Sequence, residues 1–145
     1  MLRLGSPVRI GEEHEAALAL RNFHPTEDGF AWSAGRWCEV EFAWAPPGRP
    51  RPLLLELDVN AFRDANLLPA PDLLIYLNGL RIGSLTLPMR QLATFPIPAT
   101  LLQEERNVLV LDAPDAARPV EFGRKDARLL GVQLFSVAVV DDEDG

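Results

Sequence analysis

The sequence predicts an all-β chain folded as an antiparallel β-sandwich of the jelly-roll kind, with about eight or nine short strands. Three observations carry that expectation. Several runs alternate apolar and polar residues with a period of two, the spacing of a half-buried strand. Turn residues are dense, with 13 Pro and 10 Gly in 145 residues. No stretch sustains a helical period.

Taken in order, Leu2–Ile10 reads as a strand broken by Gly5, Ser6 and Pro7. It belongs at a sheet edge, because Pro7 has no N–H to give a ladder. Glu15–Phe23 (EAALALRNF) contains helix-forming Ala and Leu, but Leu18, Leu20 and Asn22 alternate with Ala17, Ala19 and Arg21, and it is read as strand. Phe23–Arg36 (FHPTEDGFAWSAGR) then concentrates two Phe, a Trp, a Pro, two Gly and two acids in one loop. In Arg36–Ala43, Cys38, Val40 and Phe42 face one way while Glu39 and Glu41 face the other. The following WAPPGRPRP is loop, since each Pro fixes φ and removes a donor.

Leu53–Asn60 gives the cleanest alternation. Leu53, Leu55, Leu57 and Val59 share one face, and Glu56, Asp58 and Asn60 the other. AFRDANLLPAP is a long connection with room for one helical turn. Asp72–Leu77 and Arg81–Leu87 flank Asn78-Gly79, and Asn-Gly between apolar runs predicts a type I′ hairpin with φ > 0 at both central residues. The Asn-Gly pair is read as a turn and nothing more. Thr94–Pro98 is an edge strand, Ala99–Arg106 one or two helical turns, and Asn107–Leu111 a strand. APDAARPVEFGRKDAR is a second long loop. Leu129–Val140 is apolar at both parities, as in a central strand covered on both faces. With no repeat or linker, the chain reads as one domain over 1–140 and an acidic tail over 141–145.

The net charge is −7, of which Asp141, Asp142, Glu143 and Asp144 supply −4, leaving −3 for the body. Such a body offers no basic footprint for nucleic acid or anionic lipid. The acidic end is expected to be a solvated, frayed terminus. Cys38 is the single cysteine, which rules out an intrachain disulfide and a cysteine metal cluster. Its strand position predicts a buried, inert thiol. The N-terminus has no apolar core of a signal peptide, and no window approaches the ~20 apolar residues of a membrane span. The expected location is the cytoplasm.

The search for catalytic chemistry finds little. There is no G-x-S-x-G elbow, no phosphate-binding glycine motif, and only two histidines, His14 and His24, with no motif between them. Glu27 and Asp126 would be the carboxylate pair of a glycosidase, yet with 21 acids some pair always qualifies. The chain is therefore expected not to be an enzyme and to need no cofactor or metal. Binding fits better. Aromatic faces hold sugar C–H groups and planar polar side chains hold hydroxyls, and the first loop offers Phe23, Phe30 and Trp32 with Glu27 and Asp28. Trp37 and Trp44 follow on the next strand. In the second loop, Asp126 and Arg128 flank Ala127. The candidate ligand-binding residues are Glu27, Trp32, Asp126 and Arg128. A structural reading competes with each. Trp32 would plug one end of the sandwich, Glu27 would accept backbone N–H groups, and Asp126 and Arg128 would form a fixed ion pair with each other's loop or with Glu27.

Three groups of residues carry a resemblance. They are Phe23, Pro25, Glu27, Trp32 and Gly35; then Leu77, Asn78 and Gly79; then Pro119, Glu121, Gly123, Asp126, Arg128, Leu130, Gly131 and Val132. In this order they resemble small galactose-binding-like jelly-roll modules that accompany bacterial glycosyltransferases and cell-surface polysaccharide biosynthesis proteins. The resemblance covers roughly residues 23 to 140. It implies a non-catalytic accessory domain whose partner is a glycan or the glycosyltransferase it serves. A second reading is a protein-interaction or homo-oligomerisation module using a sheet face, prompted by Leu54 and the two-sided last strand.

Overall fold

The computed structural model describes residues 1–142. Its strands are β1 (Leu2–Arg3), β2 (Val8–Arg9), β3 (Ala19–Arg21), β4 (Ala31–Trp32), β5 (Trp37–Phe42) and β6 (Trp44–Ala45). They continue with β7 (Leu53–Ala61), β8 (Asp72–Leu77), β9 (Leu80–Thr86), β10 (Gln91–Ile97), β11 (Asn107–Asp112) and β12 (Val132–Asp141). Four of the twelve are two-residue fragments, and the eight longer ones match the expected count. Two 3₁₀ turns, Glu13–Ala17 and Pro119–Phe122, are the only helical segments among the described residues.

The first sheet has the order β10-β7-β12-β2, with β4 also paired to β12. The second runs β3-β5-β11-β8-β9. Every pairing within these sheets is antiparallel. The short β1–β6 pair is parallel. The alternation seen in the sequence makes the core. Leu55, Leu57 and Val59 of β7 and Val132, Leu134, Val137 and Val139 of β12 share one cluster with residues from the other sheet. Those are Cys38, Val40 and Phe42 of β5, Leu73, Ile75 and Leu77 of β8, and Leu109 and Leu111 of β11, none more than 2% exposed. Each such side chain stabilises the sandwich by about 1.5–3 kcal/mol. The Cys38 thiol is buried, which pushes its pKa well above the ordinary value. It is a core side chain, as its position in the sequence implied.

Four segments differ from the sequence reading, each for an identifiable reason. Glu15–Phe23 begins as the tail of the Glu13–Ala17 turn, and strand starts only at Ala19. The Glu15 carboxylate accepts from Gly11 N at 3.3 Å and from Thr26 Oγ1 at 3.0 Å, which fixes the turn against two other segments. Ala99–Arg106 forms no regular helix, because the buried Asn107 side chain captures its backbone. Asn107 Oδ1 accepts from Gln103 N at 2.8 Å and Asn107 Nδ2 donates to Gln103 O at 2.7 Å.

The Asn78-Gly79 hairpin has φ of 49° and 85°, as a type I′ turn requires. Asn78 is nevertheless more than a turn residue. Its Oδ1 accepts from Val108 N at 2.8 Å, and its Nδ2 donates to Leu101 O at 2.9 Å and Asn107 Oδ1 at 3.0 Å. The acidic end also differs from a frayed tail as far as it is described. Asp141 ends β12 opposite Leu53, with its carboxylate 3.1 Å from Arg51, and Asp142 N donates to Pro52 O. Residues 143–145 of the expected tail lie outside the described residues.

Candidate functional site

The loop Phe23–Arg36 is a hairpin whose second arm becomes β4. Glu27 N donates to Phe30 O at 2.8 Å, with Gly29 at φ 84° between them. His24 N donates to Trp32 O at 2.9 Å. β4 then docks on β12 with Trp32 opposite Gln133 and Ala31 opposite Leu134. One residue later, Ser33 closes a seam with the start of β12. Ser33 N donates to Val132 O at 2.8 Å, while Ser33 Oγ accepts from Val132 N at 2.9 Å and donates to Gly35 O at 2.9 Å. Ser33 is wholly buried. Gly131 lies against it so closely that a Cβ would stand 2.5 Å from Ser33 Oγ and 2.7 Å from Gly35 O. His24 adds a further tie, its Nε2 donating to Leu129 O at 2.8 Å.

Three of the four expected site residues meet at this junction. Arg128 holds Asp126 through Nε and Nη2 at 3.1 and 2.8 Å and reaches Glu27 Oε2 through Nη1 at 3.3 Å. Asp126 Oδ1 also accepts Arg128 N at 2.9 Å. The Arg128 guanidinium, followed by this backbone donor, holds the Asp126 carboxyl below the usual carboxylate range. Side-chain exposures of 34–40% show a surface brace between two loops. Both acids are engaged with the same arginine, so the geometry is that of a clamp. Trp32 takes no part in this ion-pair cluster.

Trp32 sits instead on the outer face of the first sheet, half-buried between the fully buried Ala31 and Ser33. Phe30 meets it edge-on at 6.5 Å and lies 5.7 Å from Phe135. The register extends the row across three strands, from Trp32 on β4 to Gln133 on β12 and Asn60 on β7. Asn60 Oδ1 is buried and has no hydrogen-bond partner. Beside the row, the Arg90 guanidinium lies 3.5 Å over the Phe135 ring and forks onto Asp58 at 2.8 and 2.7 Å. A cleft of about 200 Å³ opens here, lined by Arg9, Glu12, Asp28, Asp58, Arg90 and Phe135 among others.

Phe135, Gln133 and Arg90 were not legible as site residues. The period-two pattern did place Asp58 and Asn60 on the outward face, but nothing in it says that β4 lies across β12. Of the other aromatics, Trp44 is buried and Trp37 is exposed on the opposite sheet. Among the described residues, no three His, Cys, Asp or Glu side chains are placed to hold a metal ion. No helix among them is long and apolar enough to cross a membrane.

No family model matches the chain, and no curated protein matches it in sequence. Solved structures do. The chain is similar to a family 35 carbohydrate-binding module from Clostridium thermocellum, with 14% identity, a TM-score of 0.50, and coverage of 93% of this chain and 98% of that one. It is also similar to the C-terminal family 6 module of the laminarinase LamC from Zobellia galactanivorans, at 10% identity and a TM-score of 0.48 over 92% of this chain and 98% of that one. A family 36 module solved with calcium and xylotriose follows at 8% identity and a TM-score of 0.42, covering 92% and 97% of the two chains. The first of these likenesses bears on the fold, and the fold is the antiparallel β-sandwich that the sequence predicted.

Proposed function

We propose that the chain is a non-catalytic carbohydrate-binding module that takes a glycan on the outer face of its first sheet. The observation that carries this reading is the Trp32–Gln133–Asn60 row, which Phe30 links through Phe135 to the cleft of about 200 Å³. An aromatic ring next to two carboxamides is the chemistry of a sugar site. The ring covers a patch of C–H groups, and the amides pair with hydroxyls. Asn60 Oδ1 is buried without a partner, an orphan acceptor that costs about 1–3 kcal/mol. The Asp58–Arg90 fork on Phe135 forms a rigid polar wall to the same cleft. Glu27, Asp126 and Arg128 hold the loop that carries Trp32 and act as positioning residues for it.

The likeness to a module named for carbohydrate binding supports this reading. The partner we propose is a glycosyltransferase or related enzyme of bacterial cell-surface polysaccharide synthesis, served in the cytoplasm. Titration with oligosaccharides and nucleotide-sugars, followed by Trp fluorescence, tests the binding. We expect a saturable change that Trp32→Ala weakens. A flat response to every glycan removes the reading.

A protein-interaction role has one observation in its favour. Leu92 on edge strand β10 and the neighbouring Met89 are 64% and 62% exposed. Light scattering that finds a strict monomer would exclude self-association through that edge.

A further inference from the structure

The outer face of the second sheet carries an aromatic cradle that nothing in the fold requires. Trp37 is 49% exposed, although an indole contributes most when buried. Its register partner on β11 is Asp112, and Tyr76 on β8 is opposite Val110, so the two rings flank β11 diagonally. Their centroids are 6.3 Å apart and their planes tilted by 45°.

The polar groups around the rings are already fixed. Asp112, 1% exposed, grips Arg36 through two contacts of 2.7 and 3.1 Å. That grip sets the Arg36 guanidinium 5.2 Å from the Trp37 ring centroid. Asn22 Nδ2 donates to the Trp37 carbonyl and holds the backbone beneath the indole. Arg21 spans Glu39 and Glu41, and Arg106 binds Glu41 from the other side. A hollow of about 540 Å³ lies between Arg21, Asn22, Trp37, Glu39 and Val110.

These groups select a ligand. Around Trp37, Arg21, Arg36 and Arg106 are set against Glu39, Glu41 and Asp112 in direct pairs, whereas Arg81, the register partner of Tyr76, is exposed and among the described residues no acid pairs with it. At the indole itself, where the charges are paired, a polyanion or a charged peptide segment gains nothing. A neutral pyranose does, because its C–H face covers the indole while its hydroxyls meet carboxylate and guanidinium edges whose rotamers are already set.

We propose that Trp37, Tyr76 and Arg36 form a second glycan-binding site on the opposite side of the sandwich from Trp32. The sugar class rests on the reading above, whereas the location rests on the cradle alone. Since the two sites lie on different sheets, one polysaccharide chain or two can engage both, and the second engagement benefits from a raised effective concentration.

Affinity electrophoresis tests the proposal with gels containing soluble xylan, mixed-linkage β-glucan or galactan. The parent chain is compared with Trp32→Ala, Trp37→Ala and the double variant, with circular dichroism confirming that each folds. In the gel that slows the parent, each single variant should bind about three- to tenfold more weakly, the value of one aromatic contact. The double variant should run as in a sugar-free gel, and Trp37→Phe should recover part of the retardation. Trp37→Ala migrating like the parent while Trp32→Ala runs free would overturn the second site and leave the first standing. Retardation that survives Trp32→Ala and vanishes with Trp37→Ala would keep the second site and remove the first. A parent chain that no gel slows would overturn both.

Discussion

The seam at Ser33 and Gly131 and the brace of Glu27, Asp126 and Arg128 join the same two loops by opposite means. The seam is dry and built from small groups, with a wholly buried hydroxyl making two hydrogen bonds and a glycine pressed against a carbonyl. The brace is wet, with three charged side chains each a third or more exposed. Desolvated, fully satisfied hydrogen bonds keep most of their value, whereas exposed ion pairs lose most of theirs to solvent. In the stretch that resembles a module family, the small residues therefore hold the fold. The charged ones aim a loop.

The largest effect should follow from filling the seam. In Gly131→Ala the new methyl meets Ser33 Oγ at 2.5 Å and Gly35 O at 2.7 Å, and Ala113 Cβ at 3.0 Å closes the remaining side. None of these is the free end of a flexible side chain. Overpacking of this kind costs about 1–3 kcal/mol, or about 3–10 °C in Tm for a chain of this size. Thermal unfolding by circular dichroism measures it. A Tm within a degree of the parent would show that the seam can open without loss, and the contrast with the brace would fail.

Emptying the same seam should cost less. Ser33→Ala leaves Val132 N without its side-chain acceptor and removes a donor from Gly35 O. Leaving a buried donor unmatched costs about 1–3 kcal/mol, and the lower half is expected because Ser33 N still bonds Val132 O. The check is urea unfolding with an unchanged m-value and a lowered midpoint. Phe30 and Trp32 ride on the same hairpin, so a loosened seam should also weaken the glycan binding proposed for Trp32.

How much of this was legible follows from the range of the interactions. Alternation along Leu53–Asn60 and the Asn78-Gly79 turn are local, and the structure keeps both. The Asn107 knot is not local. A side chain that takes over the backbone of Gln103 competes with a helical turn that Ala99–Arg106 would otherwise favour, and no period in the sequence reveals it. The candidate site divides in the same way. Arg128 beside Asp126 can be read from adjacent positions, but the Trp32–Gln133–Asn60 row needs the docking of β4 on β12, a pairing of residues about a hundred positions apart.

The smallest effect belongs to the brace, and pH separates it from the seam. The folded Asp126 carboxyl titrates below its ordinary value, because Arg128 and its N–H favour the charged form. A group lowered on folding contributes stability that is complete above the unfolded carboxylate value, about 3.9, and that disappears as pH falls through the lower folded value. The whole of this contribution should therefore be lost on the acid side, with none of it changing between pH 6 and 8. Arg128→Gln should lower the Tm at pH 7 by at most about a third of the Gly131→Ala loss, reduced further in high salt. It should also flatten the fall in stability below pH 4. Part of that fall must remain, since Glu41 is held low by Arg21 and Arg106, and Asp64 by the N–H groups of Leu67 and Asn66. Gly131→Ala should instead move the whole pH profile down without changing its shape, because neither Ser33 nor Gly131 titrates. An Arg128→Gln profile parallel to the parent's would mean that the brace carries no linked stability and that the two loops are joined by the seam alone.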